Sequence, residues 1–239
     1  MPDIETVFFD AGGVLVHPNW MRVGKVLTSH NIAFAVTDLS RAELLCNREL
    51  DDRHLIGSTN DEQRWYRFFS RTFELAGLQI TPETLPHILA ELQAQHAIHN
   101  LWDSVAPDAL DALTALNRAG RRCVVVSNAN GTVADLLTRV GLRHQFFEVI
   151  DSGVVGVEKP SPAIFYLALQ LANASKETTV HVGDFYHIDI VGAAAAGLQA
   201  VLLDRGGLHS DRPCRRVCNL AEFTETVLNP QLYRRTNEI

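Results

Sequence analysis

Two kinds of hydrophobic pattern alternate along this chain. Thr6-Val7-Phe8-Phe9 is a short apolar run that stops at Asp10 and is broken by Gly12-Gly13, as a buried strand feeding a turn would be. From Asn19 to Leu101 the periodicity is helical, with no convincing strand. Thr37 or Asp38 before Leu39 marks one helix start, and Asn60 with Gln63 three residues on marks a second as a capping box. Thr81 followed by Pro82 marks a third. Trp65, Phe68, Phe69, Phe73 and Leu75-Ala76 recur at near-helical spacing, which predicts one buried aromatic face.

After Leu101, strands and helices alternate. The pattern predicts a helix from Pro107 to Asn117, a buried strand at Cys123–Val126 and a helix from Thr132 to Val140. A strand follows at Phe146–Ile150, then a helix opened by Ser161-Pro162 and running to about Ala172. Thr179–Val182 is a strand ending at Gly183-Asp184, an Ala-rich helix leads to Gly197, and Ala200–Leu203 is the last central strand. Parallel neighbours need crossovers, so this alternation predicts an α/β fold with a doubly wound parallel sheet. Residues 1–18 and 102–239 would form that core, and 19–101 a small all-helical domain inserted into it. Asp10, Ser127 and Asp184 each close a predicted strand, and open α/β sheets bind ligands outside those strand ends. Three polar clusters are thereby expected to converge on one site.

Composition narrows the function without choosing it. Lys and Arg total 21 against 28 Asp and Glu, a formal charge of −7, so the chain offers no electrostatic footprint for nucleic acid. The densest basic stretch, Arg212, Arg215 and Arg216, reads as a solvated loop. Cys46, Cys123, Cys214 and Cys218 are too scattered for a disulfide framework, and Cys214 with Cys218 near His209 lacks the ligand spacing of a zinc site. No stretch approaches the roughly twenty apolar residues that cross a bilayer, and the acidic start is unlike a signal peptide. The cytoplasm is the expected location, with no membrane partner.

Phe9-Asp10-Ala11-Gly12-Gly13-Val14-Leu15, Val126-Ser127-Asn128, Glu158-Lys159-Pro160, and Gly183-Asp184 with Asp189 stand in this order along the chain. Together they resemble the four ordered motifs of the haloacid dehalogenase (HAD) superfamily, whose core is Rossmann-like and carries a cap domain, here inserted after the first motif. The resemblance implies Asp10 as nucleophile and Lys159 as the cation joining it to a phosphate. It implies Ser127, the Asn128 backbone and the Gly12-Gly13 turn around the phosphoryl group. It implies Mg²⁺ held by Asp10, the Gly12 carbonyl and Asp184, with Asp189 as a further ligand or a support. The substrate would be a small phosphorylated metabolite.

One position departs from the phosphatase pattern. Family phosphatases carry a second Asp two residues after the nucleophile, which protonates the leaving oxygen and then activates water, worth roughly 10²–10⁴-fold. Here that residue is Gly12. The chain could be a slow or specialised phosphatase, or a non-catalytic binder of Mg²⁺ and a phosphometabolite. It could also be a hydrolase of the dehalogenase or phosphonatase type. The retained Gly183-Asp184 and Asp189 argue against the metal-free dehalogenase chemistry. A Schiff-base phosphonatase needs a lysine in the helical domain, where Lys25 is the sole candidate and reads as a snorkelling surface residue. Asn19, Trp20, Arg22, Arg48, Arg53, His54 and Arg67 are the polar candidates for reading a substrate. His17 and His187 read as rim residues and His181 as a core strand residue; the molecule could be a monomer or pair as a homodimer through apolar cap faces.

Overall fold

The computed structural model describes residues 3–51 and 61–229. The capping box expected at Asn60, and the polar candidates Arg53 and His54, lie outside the described residues. The chain divides into two compact units, Met1–Val16 with Val105–Ile239, and His17–Ser104.

The first unit holds a six-stranded, all-parallel sheet in the spatial order Glu148–Asp151, Arg122–Ser127, Thr6–Phe9, Thr179–Gly183, Gln199–Leu203 and Arg215–Val217. Its strands are β1 (Thr6–Phe9), β4 (Arg122–Ser127), β5 (Glu148–Asp151), β6 (Thr179–Gly183), β7 (Gln199–Leu203) and β8 (Arg215–Val217). Val16–His17 (β2) and Ser104–Val105 (β3) form a separate two-stranded sheet. The chain runs from β1 outward to β4 and β5, then returns to β6 on the other side of β1. The direction of winding therefore reverses at β1, which opens a crevice above its C-terminal end. Register is set by Phe9 opposite Val125 on one side and Val182 on the other.

Burial explains why β1 has no polar alternation. Phe8 packs with Val124, Val126, Ile164 and Phe165 on one face. Phe9 meets Phe146 and Phe223 edge-on, at 6.1 and 6.0 Å between centroids. Helices at Ala109–Arg118, Val133–Arg139, Pro162–Ala172 and Leu220–Leu228 cover the sheet unit. The helix Pro162–Ala172 begins as the sequence predicts, with Ser161 Oγ accepting from the Ala163 N–H.

Two predicted elements need correction. Arg215–Val217 is not a solvated loop but the edge strand β8, paired with Val201–Leu203; three residues are too few to show a period. The helix expected to open at Thr81-Pro82 starts at Thr84, after a turn in which Thr81 Oγ1 accepts the Thr84 N–H at 3.3 Å. Pro86 fits that first turn because its missing N–H would have no intrahelical partner there.

The second unit is helical, with helices at Trp20–Ser29, Val36–Leu50, Asp61–Leu75 and Thr84–Ile98. Its core gathers Trp20, Val23, Leu27, Phe68, Phe69, Phe73 and Leu92, so the aromatic face legible in the sequence is the buried one.

Candidate active site

Strand β1 delivers Asp10 to the crevice. Its N–H extends the ladder by donating to the Val182 carbonyl at 2.9 Å. Its Oδ1 accepts from the Ala11 N–H at 2.8 Å and from Lys159 Nζ at 2.9 Å, and no hydrogen bond among the described residues falls on Oδ2. The chain then turns tightly: Gly13 N–H donates to the Val16 carbonyl, while the N–H groups of Leu15 and Val16 both reach the Ala11 carbonyl. The Gly12 carbonyl accepts no hydrogen bond among the described residues, which leaves it open to a ligand. Gly13 has φ +73°, and a Cβ there would stand 1.9 Å from Asp184 Oδ2. Only glycine lets the Asp184 carboxylate lie against this turn. Arg205, just past β7, holds the turn from the other side through its Nη2 to the Val14 carbonyl at 3.0 Å.

Lys159 is the buried hub of the site, 2 % exposed. Its ammonium donates to Asp10 Oδ1 at 2.9 Å and to Asp189 Oδ1 at 2.7 Å. Asp189 is fully buried, and both of its oxygens are taken by protein. Besides Lys159, Oδ1 meets His181 Nε2 at 3.0 Å, and Oδ2 accepts the Phe185 N–H at 3.1 Å. A single π-turn over Tyr186–Ile190 points Asp189 inward, a wide turn of the kind that recurs at functional sites. The space Asp189 occupies exists because residue 183 is glycine, where a Cβ would sit 2.1 Å from Asp189 Cγ.

Asp10, Asp184 and Asp189 can each bring one oxygen to within 4.8 Å of the others. Three carboxylates this close together, one buried and two partly buried, cannot all ionise cheaply beside one ammonium. Burial drives the Asp184 carboxyl well above its ordinary range, and the charges of Asp10 and Asp189 push it further. Burial also raises Asp10, although Lys159 opposes it. Asp189 goes the other way: burial would raise it, but Lys159 and then His181 outweigh burial and hold it low. Burial works to lower the Lys159 ammonium, and the charges of Asp10 and Asp189 overcome it, so Lys159 stays charged.

The end of β4 brings the next residues. Ser127 is buried, and its hydroxyl makes no hydrogen bond to protein among the described residues. Asn128 does something its motif does not announce. Its Oδ1 accepts the Lys159 N–H at 2.7 Å and its Nδ2 donates to the Lys159 carbonyl at 2.8 Å. The side chain thus fastens the lysine's backbone and leaves only the Asn128 main chain for a ligand.

Asp10, Gly12, Gly13, Ser127, Asn128, Lys159, Asp184 and Asp189 all belong to the first unit, at or just beyond the C-terminal ends of β1, β4 and β6 or on loops bonded to them. His181 is a core strand residue as the sequence suggests, but its contact with Asp189 makes it part of the site. Only the proximity of β6 to the π-turn reveals that role. Among the described polar candidates of the helical unit, Asn19, Trp20 and Arg22 have partners within it. Asn19 caps its helix and donates to Asp103 at 2.9 Å, Arg22 binds Asp103 and the carbonyls of His99 and Asn100, and Trp20 Nε1 donates to Glu43. His17 Nδ1 also meets Glu43, at 3.2 Å. Lys25 is exposed between buried Val23 and Val26, as a snorkelling lysine is. All four cysteines are free. No helix among the described residues is long and apolar enough to cross a membrane.

Comparison with known proteins identifies the family and the fold. The haloacid dehalogenase-like hydrolase family model matches residues 4–197. The haloacid dehalogenase-like hydrolase domain-containing protein 3 of Bos taurus is 33% identical over 141 residues, covering 59% of this chain and 55% of that protein. The chain thus spans about half the length of the first curated relatives it matches. Glyceraldehyde 3-phosphate phosphatase of Methanopyrus kandleri is 31% identical over 179 residues, 74% of this chain and 72% of that one. Among solved structures, a HAD-hydrolase from Bacillus subtilis bound to magnesium superposes with a TM-score of 0.66 over 95% of this chain and 99% of its own. At 18% identity that likeness is one of fold.

Proposed function

The chain belongs to the haloacid dehalogenase-like hydrolase family, and from that premise we propose that it is a Mg²⁺-dependent phosphohydrolase of a small phosphorylated metabolite. The observation that carries this reading is Lys159, buried and bonded to Asp10, beside an Asp184 carboxylate pressed against the Gly13 turn. Relatives named as glyceraldehyde 3-phosphate and phosphoserine phosphatases support it. Asp10 attacks phosphorus, the bond to the leaving oxygen breaks, and an aspartyl phosphate forms. Water then attacks that phosphorus, releasing phosphate and regenerating the carboxylate. Lys159 favours the ionised Asp10 and aligns it, while Ser127 and the Asn128 N–H receive the phosphoryl oxygens.

A hard cation with oxygen ligands fits the donor set. Asp10, Asp184 and the Gly12 carbonyl would hold it, with Asp189 supporting through Lys159 because its own oxygens are engaged. When bound, the cation offsets the repulsion between the carboxylates and a phosphate dianion. The insert of helices acts as a cap in this reading.

The raised carboxyls give the metal a pH signature. A group whose folded pKa is raised stabilises the metal-free fold at low pH, and that contribution is lost as pH rises through the raised value. Mg²⁺ needs the ionised oxygens. The gain in Tm from Mg²⁺ should therefore grow as pH rises through the range in which the raised Asp184 and Asp10 carboxyls ionise. Thermal melts with and without Mg²⁺ check this, and a gain that shrinks with pH would contradict it.

Gly12 sets the leaving group. No side chain there can protonate a departing alkoxide, so substrates that leave as stable anions are favoured. We expect Mg²⁺-dependent turnover of acetyl phosphate and p-nitrophenyl phosphate, with simple alkyl phosphates slower by about 10²-fold or more. Gly12→Asp should narrow that gap. Gly12 also favours a second reading, a binder of Mg²⁺ and phosphometabolites without turnover. Binding of both with no hydrolysis of any of these substrates would select it.

A further inference from the structure

We propose that Asp151, assisted by Ser152, is a positioning residue that presets the loop after β4 for an incoming phosphoryl group; this rests on the phosphohydrolase reading above. Asp151 ends β5, directly opposite Ser127 in the parallel register. It is buried, and its carboxylate is spent on backbone donors. Oδ1 accepts the N–H of Gly131 and of Gly153, both at 2.9 Å, and Oδ2 accepts the N–H of Val133 at 3.1 Å. Ser152 completes the clasp, its Oγ accepting from the Ala129 N–H at 2.9 Å and donating to the Ala129 carbonyl at 3.1 Å. The fit is close, since a Cβ on Gly153 would stand 2.7 Å from the backbone of Asn130 and Gly131.

Asp151 and Ser152 therefore hold residues 129, 131 and 133 from one strand end. On the other flank, Asn128 is pinned to the Lys159 backbone by two hydrogen bonds. The segment bearing Ser127 and the Asn128 N–H is thus fixed from both sides before any ligand arrives. Charge-assisted bonds to main-chain N–H groups are strong and directional, so they set the aim of neighbouring donors without touching the ligand. Preset donors lose less freedom on binding an anion than a loose loop would.

Asp151→Asn keeps the shape but turns one acceptor into a donor facing N–H groups. Calorimetric titration of inorganic phosphate in the presence of Mg²⁺ should show phosphate affinity falling about tenfold or more. Titration of Mg²⁺ alone should be unchanged, because Asp10 and Asp184 are untouched. Amide exchange at Ala129 and Gly131 should quicken. Equal phosphate affinity in the variant and the wild type would overturn the proposal, as would Mg²⁺ affinity falling in step with phosphate affinity. Wild-type protein that binds no phosphate would overturn the phosphohydrolase reading itself. Should Asp151→Asn fail to fold, Ser152→Ala, which removes only the clasp on Ala129, is read by the same two titrations. Weaker phosphate binding with unchanged Mg²⁺ binding supports the role, and unchanged phosphate binding overturns it.

Discussion

Asp10→Asn is expected to lower kcat by roughly 10⁴-fold or more, as removal of a nucleophile does. Asparagine matches the size of Asp10, and its carbonyl oxygen can keep both bonds that fall on Oδ1, from Ala11 and Lys159. The geometry survives while the nucleophile is lost. The same change should leave the fold at least as stable near neutral pH. Burial raises the Asp10 carboxyl, so ionising it is a cost the folded state bears as pH rises, and the amide removes that cost. Steady-state kinetics and a thermal melt of one variant read both effects. A stable fold with near wild-type turnover would remove Asp10 from the chemistry.

Lys159→Met is expected to be the most destabilising single change in the site. Methionine follows the lysine stem but carries no charge, so Asp10 and Asp189 would face each other with their shared cation gone. Removing one partner of a buried ion pair costs about 3–5 kcal/mol, because the remaining charge is left uncompensated. The deficit should shrink as pH falls, since protonated carboxyls no longer need the cation. Mg²⁺ should restore part of it by binding the same oxygens. Urea unfolding at neutral and acidic pH, with and without Mg²⁺, measures each component. A loss under about 1 kcal/mol, as for a surface pair, would mean that Lys159 does not hold the carboxylates together.

The central sheet was legible because buried parallel strands write themselves as short unbroken apolar runs, and Asp10, Ser127 and Asp184 mark where those runs end. What escaped was through-space pairing. Asn128 reaches Lys159 across 31 positions and His181 reaches Asp189 across 8. No periodicity links such residues. Asp151 was hidden for the same reason: a carboxylate ending a strand looks like any turn residue until its three backbone donors are in view. The edge strand Arg215–Val217 was masked by its charge, since three residues with two arginines read as solvent-facing loop. In the helical unit, Arg22 and Asn19 look like ligand residues in the sequence because their partner, Asp103, is more than 80 positions away.

The proposed chemistry requires a phosphoryl group to reach Asp10. Mixing the protein with Mg²⁺ and acetyl phosphate, quenching in acid within one turnover and mapping the peptides by mass gives the most direct test. One added phosphoryl mass on the peptide containing Asp10, absent from the Asp10→Asn variant, is the predicted result. Continued hydrolysis with that peptide unmodified, or the modification on another residue, would contradict it.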